Sequence, residues 1–114
     1  MPRFAILKHD HPYLHWDLLL EFGDVLRSWR LQSPPKPGRT IPAEATPDHR
    51  LLYLEYEGPV GQGRGTVIQW DAGLYEIQKW EDAMIEIGLA GKRLRGSIRV
   101  THLEGTNWRC DVFR

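Results

Sequence analysis

Turn signals cut this sequence into apolar runs too short for helices of ordinary length. Gly23-Asp24, Asp71-Ala72-Gly73, Ala90-Gly91-Lys92 and Glu104-Gly105-Thr106-Asn107 each separate two such runs. The runs at residues 4–7, 14–22, 25–31, 51–56, 66–70, 74–80, 94–103 and 108–113 read as strands, with a hairpin around Gly23-Asp24. Residues 83–89 fit a strand or half a helix. Regularly spaced short strands indicate an all-β barrel or sandwich. At most one or two short helices fit, within residues 41–48 or around 81–87. With 114 residues the chain reads as a single domain, residues 1–114, around one modest core.

Two stretches break the pattern. Residues 32–48 carry Pro34, Pro35, Pro37, Gly38, Pro42 and Pro47, and read as a long proline-rich loop. The glycines at 58, 61, 63 and 65 mark a second irregular segment. It lacks the Lys-Ser/Thr and the helix of a phosphate-cradling loop, so it reads as a tight corner. Trp16, Trp29, Trp70, Trp80 and Trp108 lie in strand-like runs and are expected in the core, while Asp71 and Glu21 are expected at a turn and an edge.

Chemistry concentrates in Lys8-His9-Asp10-His11-Pro12-Tyr13-Leu14-His15-Trp16-Asp17, where three of the five histidines fall within seven residues. A strand points residues i and i+2 to one face, so His15 and Asp17 converge at a Cα separation of about 7 Å. His9, ending the preceding strand, closes a third side. Two imidazoles and a carboxylate, with open positions left over, suit a catalytic divalent ion; manganese, zinc and iron all accept these ligands. His11 reads as a surface histidine with a supporting role as the alternative.

His49 and Tyr53 are spaced to share a face of a plain strand. Alone they read as a loop histidine and a core tyrosine; beside the metal ligands they would form a polar wall able to donate to a phosphate. Lys36, Arg39, Arg50 and Arg64 are the cations near the two irregular segments. Fifteen basic and fifteen acidic residues cancel, which argues against tight nonspecific DNA binding but leaves room for an enzyme touching a few phosphates at a strand end. The lone Cys110 forms no internal disulfide, and no stretch approaches the roughly 20 apolar residues of a membrane span, so a cytoplasmic setting without membrane contact is expected.

Taken together, Phe4-Ala5-Ile6-Leu7-Lys8-His9-Asp10, Leu14-His15-Trp16-Asp17, Leu20-Glu21 and Asp24-Val25-Leu26-Arg27-Ser28-Trp29 resemble the opening of the 3′-phosphoesterase domain of bacterial DNA ligase D. Asp48-His49 with Tyr53, Tyr56-Glu57-Gly58, Gly65-Thr66-Val67, Trp70-Asp71, Tyr75-Glu76, Leu94-x-Gly96 and Trp108 continue the likeness in order. The resemblance implies a compact β-barrel of about eight strands, a manganese-type ion on His9, His15 and Asp17, and phosphate contacts from His49 and Tyr53. It implies removal of a 3′-terminal ribonucleoside and then of the remaining 3′-phosphate from DNA or RNA primer-template ends. DNA ligase, polymerase or end-joining proteins are the implied partners. The family's Arg two residues after the Asp is Leu19 here; Lys36 and Arg39, with Arg64, are the cations expected to contact phosphate instead. Without polymerase and ligase segments, the chain is expected to be a stand-alone version or an excised piece.

Two other functions fit part of the pattern. His15-x-Asp17 with His49 has the form of an iron facial triad in β-barrel oxygenases. With Leu19 in place of Arg, the chain also fits a degenerate module that recognises nucleic-acid ends or a repair partner without turnover.

Overall fold

The computed structural model describes residues 1–114. Nine antiparallel strands follow in chain order: β1 Arg3–His9, β2 His15–Phe22, β3 Val25–Leu31, β4 Thr40–His49, β5 Gly58–Pro59, β6 Thr66–Glu81, β7 Met84–Gly91, β8 Arg95–Glu104 and β9 Asn107–Phe113. The ladder runs β1-β2-β3-β4-β9-β8-β7-β6, and pairing of β6 with β1 closes it into an eight-stranded barrel, with β5 appended to β6. Closure leaves no long unpaired edge. No helix is long and apolar enough to cross a membrane.

Alternation along β1 and β2 produces two faces. Phe4, Ile6, Leu18 and Leu20 point inward and join Trp29, Ile41, Tyr75, Ile87, Ile98 and Val112 in the barrel core. The opposite residues form a smaller outer cluster of Ala5, Leu7, Leu19, Leu26, Leu54 and Val67. That outer face is roofed by a single 3-10 turn, Leu51–Leu54. A three-residue period places Leu51 and Leu54 on one side, and both pack on the outer cluster. The expected strand at residues 51–56 is instead a helical turn at 51–54; of the helices considered, 41–48 is strand and 81–87 is the tight hairpin turn from β6 into β7.

The proline-rich loop is shorter than expected, because Thr40–His49 is a full strand between β3 and β9. Pro42 offers its carbonyl to the Gln32 N–H at 3.4 Å, so its nitrogen also faces β3, just where that ladder ends. Pro47 sits in a bulge, where Pro47 and Asp48 oppose the single residue Arg27.

Asp71-Ala72-Gly73 is not a turn either: Thr66–Glu81 is one continuous strand of 16 residues. Asp71, buried, accepts hydrogen bonds from the backbone N–H groups of Ala72, Lys92, Arg93 and Leu94 at 2.8–3.1 Å. It thereby ties the β7–β8 turn to the middle of β6. Gly73 is required because a Cβ there would collide with the Ala90 carbonyl across the ladder. Of the five tryptophans, Trp29 and Trp108 are buried and meet edge to face, whereas Trp16, Trp70 and Trp80 are half-buried at the margin of the core.

Candidate metal centre

The outer face of β1–β4 is a small lattice. Its rows, read across the strands, are His9 and His15; then Leu7, Asp17, Arg30 and Glu44; then Ala5, Leu19, Ser28 and Thr46. His9 and His15 are direct cross-strand partners, and Asp17 is one pleat further along β2. Strand pairing thus brings the three predicted ligands together, with their donor atoms within 4.8 Å of one another.

The hydrogen bonds fix which nitrogen of each ring faces inward. A carbonyl can only accept, so His15 donates from Nδ1 to the Tyr13 carbonyl at 2.8 Å, and His9 donates from Nε2 to the Arg64 carbonyl at 2.8 Å. The remaining nitrogens, which carry lone pairs in the neutral rings, both face one carboxylate: His15 Nε2 lies 3.1 Å from Asp17 Oδ1, and His9 Nδ1 lies 3.5 Å from Asp17 Oδ2. His15 Nε2 is buried and makes no hydrogen bond. When both imidazoles are neutral, their lone pairs and the carboxylate repel one another unless a positive charge lies between them. A proton or a divalent cation meets that need, and the backbone carbonyls behind the rings orient them as a ligand set would require. The residues present therefore fit a divalent metal.

The 61–65 loop is part of this arrangement. Gly65 adopts φ +78°, and a Cβ there would run into Asp10 and His11. That close approach, with Asp10 Oδ1 accepting from the Thr66 N–H at 2.8 Å, brings the Arg64 carbonyl onto His9.

A cleft of about 520 Å³ opens above the triad, lined among others by His9, His11, Asp17, Arg30, His49, Arg50, Tyr53 and Arg64. His49 and Tyr53 meet edge to face at 5.8 Å, although they lie on a strand end and a helical turn rather than on one strand. His49 donates from Nδ1 to the Pro47 carbonyl at 3.0 Å, which leaves Nε2 free.

The predicted cations divide. Arg64 lines the cleft, although its Nε is engaged by the Gly61 carbonyl at 2.9 Å. Lys36 and Arg39 do not line it; they are exposed in the 33–39 turn, which is bonded to β9 through Gly38, Arg39 and Val112, and Arg39 donates its Nη1 to the Pro34 carbonyl. With most of residues 40–49 committed to a strand, the loop is too short to carry them over the site. Leu19 is completely buried beneath the 51–54 turn. The facial-triad alternative also changes, because His9 rather than His49 completes the group with His15 and Asp17.

Sequence reasoning passed over Arg30. Its signal was present: the two-residue turn at Gly23-Asp24 fixes the hairpin register, and that register sets Arg30 directly opposite Asp17.

A family model for the DNA ligase D 3′-phosphoesterase domain matches residues 7–102. The chain is 33% identical over 92% of its length to the multifunctional non-homologous end joining DNA repair protein LigD of Mycobacterium tuberculosis. It is 33% identical over 94% of its length to the multifunctional non-homologous end joining protein LigD of Pseudomonas aeruginosa, and 30% identical over 93% to that of Mycolicibacterium smegmatis. The chain spans only 14–16% of those relatives.

Proposed function

The chain belongs to the DNA ligase D 3′-phosphoesterase domain family, and from that membership and the geometry of the outer face we propose that it is a metal-dependent phosphoesterase that processes 3′ ends of DNA or RNA in break repair. Its substrates are a 3′-terminal ribonucleotide and a 3′-phosphate on a primer-template. Its partners are the ligase, polymerase or other end-joining proteins that use the resulting 3′-hydroxyl. The observation that carries the reading is the pair of imidazole nitrogens aimed at one carboxylate, each ring tied behind by a backbone carbonyl.

His9, His15 and Asp17 would hold the ion, with Mn²⁺ the first choice and Zn²⁺ or another transition metal compatible with the same donors. A bound divalent ion would offset charge as it builds on the phosphate oxygens. His49 presents Nε2 to the cleft, where in its protonated form it donates to a phosphate oxygen or to the departing oxygen. Tyr53, edge-on to His49, adds a phenolic donor. The 51–54 turn and the 61–65 loop wall the cleft and carry Tyr53 and Arg64.

Primer-templates ending in a 3′-phosphate or in one ribonucleotide, incubated with and without Mn²⁺, test this. The wild type should release phosphate or nucleoside only with metal, and His15→Ala or Asp17→Ala should cut turnover by at least about 100-fold. Full activity in either variant would remove the metal role. The burial of Leu19 favours a second reading, an end-binding module without turnover. Metal binding and 3′-phosphate recognition with no product formed would establish that reading instead.

A further inference from the structure

A phosphate held above the triad needs a cation, and β2 supplies none: between His15 and Phe22 it contains no Lys or Arg. Three arginines line the cleft. Arg64 is engaged by the loop carbonyl at Gly61, and Arg50 is exposed at the start of the 51–54 turn. Arg30 differs from both. It projects from the penultimate position of β3, in the same row as Asp17 and directly across the ladder from it. Cross-strand neighbours on one face have Cβ atoms about 4.5–5.5 Å apart, so the guanidinium stem rises beside the proposed metal ligand.

Its head group is held but not satisfied. The guanidinium carbon lies 5.6 Å from the centre of the Tyr13 ring. Nη1 is 3.7 Å from Glu44 Oε1, an ion pair longer than a hydrogen bond. Nε is buried and has no hydrogen-bond partner. An unpaired buried donor costs free energy, and a turn of the guanidinium that lets an oxyanion in the cleft accept from it recovers that cost. The guanidinium fork also matches two oxygens of one phosphate.

Building on the 3′-end-processing reading, we propose that Arg30 is the phosphate-gripping residue of this cleft. It takes two nonbridging oxygens of a 3′-terminal phosphate through Nε and one terminal nitrogen, and so selects ends that carry phosphate. β3 thus provides the cation that β2 lacks.

The test compares binding of primer-templates ending in 3′-phosphate and 3′-hydroxyl, by fluorescence anisotropy in Mn²⁺, for wild type, Arg30→Gln, Arg30→Lys and Arg50→Gln. Wild type is expected to favour the phosphorylated end by about tenfold or more, and Arg30→Gln to lose that preference. Arg30→Lys keeps the charge but not the fork, and should fall between the two. Arg50→Gln should retain the preference. Mn²⁺ affinity, read by electron paramagnetic resonance, should be unchanged in Arg30→Gln. An intact preference in Arg30→Gln, or no preference in wild type, overturns the proposal. Should Arg30→Gln fail to fold, Arg30→Lys decides, and a wild-type preference in it overturns the bidentate grip. The two readings fail separately. Arg30-dependent binding without product release removes catalysis and leaves Arg30 in place. Equal product release by wild type and Arg30→Gln removes Arg30 and leaves the enzyme.

Discussion

The two faces of the β1–β2 hairpin have opposite chemistry. Inward, Phe4, Ile6, Leu18 and Leu20 are apolar and almost completely buried. Outward, the same two strands carry a graded series: the pair His9–His15, then Leu7–Asp17, then Ala5–Leu19, then Arg3 close to Glu21. One period-two alternation therefore builds both the core and the site. The β1–β2 ladder, part of the barrel wall, also sets the spacing of the proposed metal ligands. The difference lies in polar chemistry: the buried inner face of the hairpin is apolar apart from the Trp16 indole N–H, whereas the outer face sets two imidazoles against one carboxylate, with the Arg30 Nε unpaired in the same row as that carboxylate.

Truncating the inner face should produce the largest change in stability. Leu18 is fully buried, opposite Ile6 on one side and Trp29 on the other. Leu18→Ala should cost about 2–5 kcal/mol in urea unfolding, from lost burial and the cavity left behind. Turnover per folded molecule should be nearly unchanged, because the side chain points away from the cleft. A large loss of turnover without a loss of stability would show that the two faces are not separable.

Neutralising the outer face should act in the opposite direction. With the His15 ring neutral, the amide of Asp17→Asn can donate to Nε2, turning one repulsive contact into a hydrogen bond. In metal-free buffer with a chelator, Asp17→Asn should be more stable than wild type by about 1 kcal/mol. It should lose the metal-induced rise in melting temperature expected of wild type. If the chelated variant were clearly less stable than chelated wild type, the Asp17 carboxylate would be a satisfied group rather than one waiting for a cation.

How far each face could be read beforehand follows from the same contrast. Alternation in 14–22 and 25–31 was legible, and with it the convergence of His15 and Asp17, because both depend only on neighbours in sequence. Alternation alone left barrel or sandwich open, because closure depends on pairing β1 with the distant β6; the eight-stranded barrel was legible through the family resemblance. Asp71-Ala72-Gly73 reads as a turn by composition, yet Asp71 is there to bind the backbone of residues 92–94, and Gly73 to clear the Ala90 carbonyl. Neither partner is local. Pro42 and Pro47 looked incompatible with a strand until the ladder end and the bulge that accommodate them were visible. Lys36 and Arg39 were placed near the site by proximity in sequence, which a short turn leading into β4 does not preserve. Leu19 looks in sequence like a missing charge; in the fold it is an apolar member of the outer cluster, where an arginine would have to displace the contacts that seat the 51–54 turn.

At the far end of the outer face the polar pair is satisfied, and breaking it should have the smallest effect. Glu21 accepts from the Arg3 backbone N–H at 2.9 Å and from its guanidinium at 3.1 Å. Those bonds, the guanidinium first, hold the Glu21 carboxyl below its ordinary value of 4.5. A depressed carboxylate stabilises the fold above its unfolded pKa and loses that contribution as pH falls through the folded value. Arg3→Gln should therefore melt slightly below wild type at neutral pH, the gap closing in acid as wild type also loses the ionised pair. The pair is exposed, so the gap should also shrink in about 1 M salt. Tyr75 does not confuse the reading: its hydroxyl donates to the Glu21 carbonyl at 2.6 Å, and burial followed by the Glu21 charge pushes its pKa up to about 12, so it stays neutral throughout. A gap that persisted in acid and in salt would mean that Arg3 stabilises the barrel by packing rather than by charge.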